Sequence, residues 1–226
     1  KMSKALVIIK SMGIGDLCIL ISSIHAISKK IDKSVKVLAQ KNTHAAAILE
    51  HDPYVDEVIE LNEKEIKGFF SIIKKIKSKQ FEQSYIYSDS IRFYLISKLS
   101  GIKENFHYEF FSKRGKNFFK TAKEFTEKIL DTKIDSQSKI YCDKNDIEEA
   151  KRKFSISDKT KNIVCGISAS GPTKRWDINN YIKLFENLNS KFQCKFFLAG
   201  GSNDEDLIKK VTGSSIGNRC TSFSTM

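Results

Sequence analysis

What this sequence is short of narrows it first. Proline occurs only twice. With hydrophobic residues at 40% and charged residues at 29%, that scarcity excludes wholesale disorder and permits an ordinary buried core. There is no run of about 18 apolar residues, the length a membrane-spanning helix needs. The longest apolar stretch, Cys18 to Ile27, is interrupted by Ser22, Ser23 and His25. None of the five cysteines forms a CxxC pair, so they read as buried reduced thiols rather than zinc ligands. The four histidines, His25, His44, His51 and His107, are scattered without metal or catalytic spacing. Neither a metal nor a cofactor is expected, and no role is assigned to any histidine. The order of a signal peptide is missing as well, because Ala5-Leu6-Val7-Ile8-Ile9 reads as a strand with no small-residue cleavage site after it. The expected location is the cytoplasm.

What the chain has in excess is positive charge, +12 at neutral pH. Between Lys64 and Lys133, basic residues outnumber acidic ones about two to one. Such a field attracts an anion: nucleic acid, a lipid surface or a phosphorylated substrate. It fits equally a set of solvated lysine-rich helix faces.

Strand and helix signals alternate from the start. Strands are expected at residues 5–9, 35–39, 55–61 and 84–87, with helices at 17–30, 44–49 and 91–99. Gly101 closes the last of these as a C-terminal glycine. Ile66, Phe69, Phe70, Ile72, Ile73 and Ile76 form an apolar stripe on a basic helix, read as core rather than as a membrane-lying face. Residues 104–121 show no regular pattern, their aromatics interleaved with Lys113, Arg114, Lys116 and Lys120. Those aromatics read as core or as the lip of a cleft, and nucleic acid is set aside as a partner. A helix follows at 146–154. The polar stretch Ser155 to Asn162 reads as a linker, and then the pattern restarts: strand 163–167, helix 177–191, strand 194–199, and a helix from Asn203. Only two clear strands are expected after the linker. The reading is α/β, two Rossmann-like doubly wound domains at 1–155 and 156–226, the second incomplete.

In such sheets ligands sit beyond the carboxyl ends of strands. Directly after the first strand comes Ser11-Met12-Gly13-Ile14-Gly15-Asp16. Gly13 and Gly15 allow close approach of a ligand to a helix N-terminus. The dinucleotide fingerprint would need a third glycine where Cys18 stands, which argues against an NAD-dependent oxidoreductase. Asp16 can cap the helix or accept a proton from a hydroxyl. After the linker, Ser168-Ala169-Ser170-Gly171-Pro172-Thr173-Lys174-Arg175-Trp176 precedes a helix. Its hydroxyls, backbone N–H groups and Lys174 suit a diphosphate, without the spacing of a Walker loop. Trp176 reads as a packing residue. Gly200 and Gly201, followed by Asp204 and Glu205, make a third and weaker constellation.

Together these stretches resemble the heptosyltransferases of lipopolysaccharide core synthesis, glycosyltransferase family 9. The resemblance rests on the opening strand with Gly15-Asp16 and the helix carrying Ile24-His25-Ala26-Ile27. It also rests on Ser168 through Lys174-Arg175-Trp176 with Tyr181 and Leu184, and on Phe196-Phe197-Leu198-Ala199-Gly200-Gly201 with Asp204 and Glu205. It implies a GT-B arrangement, two domains facing across a cleft. It implies an ADP-heptose donor, an anionic lipid-linked saccharide acceptor, and inversion at the anomeric carbon. Asp16 would be the general base, Gly13 and Gly15 the acceptor loop. Ser168, Ser170, Lys174, Gly200, Gly201 and Glu205 would line the donor site, with Glu205 near the ribose. Peripheral contact with the inner membrane would follow from the acceptor. The family's later Asp-Thr-Gly stretch and histidine have no counterpart before Met226. The expectation is therefore a glycosyltransferase of this type, with a fragment or an inactive relative that binds sugar nucleotides without turnover as the alternative.

Overall fold

A computed structural model describes residues 5–10, 13–108, 117–169 and 171–224. The chain divides by its contacts into two units, 1–143 and 144–226.

The first unit alternates β1 (Ala5–Ile9), α1 (Ile14–Ile31), β2 (Val35–Gln40), α2 (Ala45–Ile48) and β3 (Val55–Leu61). It continues through α3 (Glu63–Lys67), α4 (Phe69–Lys77), β4 (Gln83–Tyr87), α5 (Ile91–Leu99), β5 (Glu104–His107) and α6 (Phe118–Leu130). Its five strands are parallel in the order β3-β2-β1-β4-β5. The central strand shows why β1 reads as an unbroken apolar run. Ala5, Val7 and Ile9 enter one core with Leu17, Leu20, Ile21 and Ile24 of α1 and Ala122 and Leu130 of α6. Leu6 and Ile8 enter a second core with Ile72 and Ile76 of α4 and Phe93 and Ile96 of α5. Both faces of the strand are covered by helices, so every position is apolar.

The apolar stripe of the basic segment is core, as expected, with one exception. Ile72 and Ile76 are buried and Ile66, Phe69 and Ile73 pack against them, whereas Phe70 is 80% exposed. The segment is two helices rather than one. Gly68 ends α3, donating its N–H to Glu65 O at 2.9 Å, and starts α4. Gly101 follows α5 at φ +87°, a conformation that favours glycine.

The irregular reading of 104–121 is corrected in part. Residues 104–107 form β5, an edge strand whose Phe106 stacks on Tyr85 at 5.0 Å between centroids. From Phe118 the chain is helical. Phe110, Phe111, Lys113, Arg114 and Lys116 lie outside the described residues. The cysteine reading is corrected too: Cys194 is buried, but Cys142 is exposed.

The second unit contains α7 (Lys144–Lys153), β6 (Lys161–Gly166), α8 (Ile178–Lys191), β7 (Cys194–Gly200), α9 (Glu205–Thr212) and β8 (Cys220–Ser224). Its three strands are parallel in the order β6-β7-β8, so a third strand joins the two that the pattern revealed. Phe185, Phe196, Leu198 and Val211 form its core with Ile167 and Ile178. By packing, α7 goes with this unit, one helix earlier than the 155/156 boundary. Lys195 Nζ donates to Phe154 O at 2.5 Å, and the Phe154 ring meets Phe197 and Phe223 edge-on. Among the described residues no helix is long and apolar enough to cross a membrane.

Candidate functional site

Each unit carries a candidate site at the carboxyl end of its sheet. In the first, the strand order reverses between β1 and β4, the place where sheets of this kind bind their ligands. Lys10 follows β1 and Asp89 follows β4, with Nζ to Oδ1 at 3.9 Å. Gln40, the last residue of β2, donates from Nε2 to Lys10 O at 2.9 Å. These bonds tie three strand ends together beside the N-terminus of α1.

Asp16 lies in the first turn of α1 and is half-buried. The residue at the N-cap is Gly13, with no side-chain cap bond. Asp16 therefore complements the helix dipole without closing the helix end, and among the described residues its carboxylate makes no hydrogen bond. Gly13 has φ −130°, which any residue adopts. A Cβ added at Gly13 or at Gly15 would meet nothing within 4 Å. The fold thus demands glycine at neither position, and their smallness keeps the surface above β1 open. Gly15→Ala should stabilise the protein by about 0.5 to 1 kcal/mol through helix propensity. Thermal midpoints of the variant and the parent check this.

In the second unit the segment after β6 is held from several sides. Ile167 N bonds Ala199 O at 3.3 Å, extending the ladder by one step. Arg175 Nε donates to Ala169 O at 2.9 Å, and Tyr181 OH to Gly166 O at 3.2 Å. Lys174 N closes a short 3-10 turn on Gly171 O at 3.0 Å. Trp176 packs edge-on against Tyr181 at 4.9 Å, while half of it remains exposed. Asp177 caps α8 by accepting from Asn179 N at 2.8 Å. The Lys174 ammonium is exposed and has no acidic partner among the described residues.

The residue that organises this end is Asp204, 4% exposed. One carboxylate oxygen accepts from Ser168 Oγ at 2.7 Å, the other from Gly201 N at 2.8 Å. It joins the loop after β6 to the turn after β7. The Ser168 hydroxyl, followed by the Gly201 N–H and the Arg175 charge, holds its pKa below the usual carboxylate range. A depressed folded pKa contributes stability above the unfolded value of about 3.9, lost as pH falls through the folded pKa. Asp204→Asn should lower the thermal midpoint at pH 7. The gap from the parent should close as the pH drops below about 4, which a series of melts would reveal.

The other expected donor residues sort differently. Ser168 gives its single proton to Asp204, so in this arrangement it can offer a ligand only lone pairs. Gly200 serves packing: a Cβ there would lie 3.3 Å from Asp204 Cβ and Ile208 Cδ1. Glu205 is exposed and sits 3.6 Å from Lys209 in the first turn of α9. Ser170, Ser11 and Met12 lie outside the described residues. Asp204 was missed as an organiser, although an acid three positions after a helix-starting residue can reach back to that residue's N–H, as Asp204 does to Gly201.

Comparison with known proteins follows the same lines. A sequence model of glycosyltransferase family 9 (heptosyltransferase) matches residues 109–223, just over half of the chain. No curated protein matches it in sequence. Among solved structures, E. coli ADP-heptose lipopolysaccharide heptosyltransferase II superposes with a TM-score of 0.72 at 17% identity, over 98% of this chain and 72% of that one. A family 9 glycosyl transferase from Veillonella parvula gives 0.73 at 15%, over 94% and 67%. E. coli heptosyltransferase WaaC with ADP gives 0.67 at 11%, over 98% and 75%. At these identities the structures establish the fold, α/β and GT-B-like with two Rossmann-like units. The family match establishes the class of enzyme, a glycosyltransferase. The chain belongs to glycosyltransferase family 9 (heptosyltransferase).

Proposed function

We propose that this chain transfers a heptose-type sugar from an ADP-sugar to an anionic, lipid-linked core saccharide, with inversion at the anomeric carbon. The observation that carries the reading is the strand-end loop from Ser168 to Lys174, pinned to the next turn through Asp204 with an exposed lysine at its end. Backbone N–H groups on a fixed loop, with a cation beside them, suit a diphosphate. The solved relative crystallised with ADP supports the same nucleotide.

The step itself is a displacement. Asp16 takes the proton of the acceptor hydroxyl as its oxygen bonds to the anomeric carbon from the face opposite the diphosphate. The bond from that carbon to the phosphate oxygen breaks, and ADP leaves with the electron pair. Lys174 offsets the charge that grows on the departing phosphate. Lys174→Ala should weaken ADP binding about 10- to 100-fold, the range for one charge-assisted hydrogen bond. Calorimetry finding unchanged ADP affinity would reject the loop as the diphosphate site.

The acceptor side draws on the basic stretch from Lys64 to Lys133. Some of its charge is neutralised locally, as Lys75 pairs with Glu65 at 3.2 Å and Lys79 with Glu57 at 2.5 Å. Phe70 stands exposed on α4 with Lys74 and Lys77 at the next helical turns, an apolar anchor flanked by cations. Such a patch suits peripheral contact with the anionic inner face of a cytoplasmic membrane. The charge-reversed variant K67E/K74E/K77E should lose sedimentation with phosphatidylglycerol vesicles at low salt and raise the acceptor KM, with ADP affinity unchanged. Vesicle binding that ignores these reversals would return the stretch to a solvated surface.

A further inference from the structure

We propose a second anion site in the first unit, at the other end of α1 from that unit's strand-end site, that takes a soluble phosphorylated compound. A groove of about 470 Å³ runs between the C-terminal half of α1 and the segment from Thr132 to Tyr141. Lys29, Lys30, Lys133 and Lys139 line it against a single acid, Asp135. Lys133 is paired with Glu127 at 2.9 Å, so the field is that of the other three lysines, partly offset by Asp135.

Two of those cations are held in place by rings. Lys29 Nζ lies 5.1 Å from the centre of the Tyr54 ring and Lys139 Nζ 4.7 Å from that of Tyr141. The platform beneath them is fixed from inside. Asp52, 4% exposed, accepts from His25 at 2.7 Å and from Tyr54 N at 2.9 Å. His25 packs on Tyr54 at 4.6 Å and reaches Tyr141 at 5.9 Å. The far wall is tied back by Ser138 Oγ on Cys18 O at 2.5 Å and by Lys123 on Ser136 at 2.6 Å. This is a concave, cationic site whose exposed lysines stand over the buried His25–Asp52 pair.

The groove and Asp16 lie at opposite ends of α1. Lys29 is 13 positions beyond Asp16, about 20 Å along the helix. The one large aliphatic side chain in the groove's lining, Ile134, is buried, so the groove offers no exposed aliphatic surface to an acyl chain. The chemistry therefore favours a water-soluble phosphate ester or a phosphorylated saccharide over a lipid headgroup.

The test is an amide-shift titration of the full ¹⁵N-labelled chain with inorganic pyrophosphate at low salt. Saturable shifts are expected at Lys30 and across Thr132–Tyr141, at least about 10-fold weaker in K30E/K139E and retained in K30R/K139R. Both lysines are exposed, so melting temperatures should be unchanged and serve as the control for folding. Lys174→Ala should leave these shifts intact, which separates the groove from the diphosphate loop. Shifts confined to residues 168–174, or insensitive to K30E/K139E, would overturn the proposal. So would phosphatidylglycerol vesicles binding through Lys30 and Lys139 while pyrophosphate does not.

Discussion

Asp16→Asn should cut sugar transfer by about 100-fold or more, the usual cost of losing a general base, with ADP affinity and melting temperature almost unchanged. The helix end does not depend on this carboxylate, because Gly13 occupies the N-cap and no side-chain cap bond exists there. Removing one negative charge from the first turn costs at most about 1 kcal/mol through the helix dipole. A structural role and a catalytic one therefore separate cleanly. A variant that folds normally and turns over normally would return Asp16 to a purely electrostatic part in the helix.

The second large effect concerns stability. Phe185 is fully buried and stacks on Phe196 with centroids 4.3 Å apart at 22°. Phe185→Ala should destabilise the second unit by about 3 to 5 kcal/mol, the lost burial plus the cavity left behind. That unit has one described core cluster, from a single sheet of three strands, so such a loss is a large share of what holds it. The chain has one tryptophan, Trp176, which lies in this unit. Its fluorescence during urea unfolding reports on the second unit alone, while far-ultraviolet circular dichroism reports on both. The variant's fluorescence transition should move to markedly lower urea, with a later dichroism transition left in place for the first unit. A fluorescence midpoint equal to the parent's would show that the stacked pair contributes little.

How far the sequence speaks depends on how each element is made. Where both faces of a strand are covered, as in β1, the apolar run has no gaps and the strand is legible at once. The edge strand β5 reads Glu104-Asn105-Phe106-His107 and is held partly by polar bonds, Ser84 Oγ to Asn105 Oδ1 at 2.9 Å and Ser97 Oγ to the same oxygen at 2.5 Å. Those bonds come from Ser84 and Ser97, both outside the strand, so no local period marks it. The break at Gly68 was hidden because the apolar stripe continues in phase across it.

The sites follow the same division. The Gly-rich turn after β1 and the hydroxyl-rich loop after β6 were visible as interruptions at strand ends. Which acid turns inward after β7 was not, since Asp204 and Glu205 are adjacent and a single 3-10 turn sends the first inward and leaves the second in solvent. The His25–Asp52 pair was out of reach, its partners 27 positions apart and brought together only by the packing of α1 beside the loop before β3.

Acceptor-dependent release of ADP from ADP-heptose tests the central claim most directly. The chain should release ADP in proportion to added lipopolysaccharide core acceptor, with the acceptor gaining the mass of one heptose and UDP-glucose failing as a donor. ADP-heptose bound without acceptor-dependent release, or an equal rate from UDP-glucose, would contradict it.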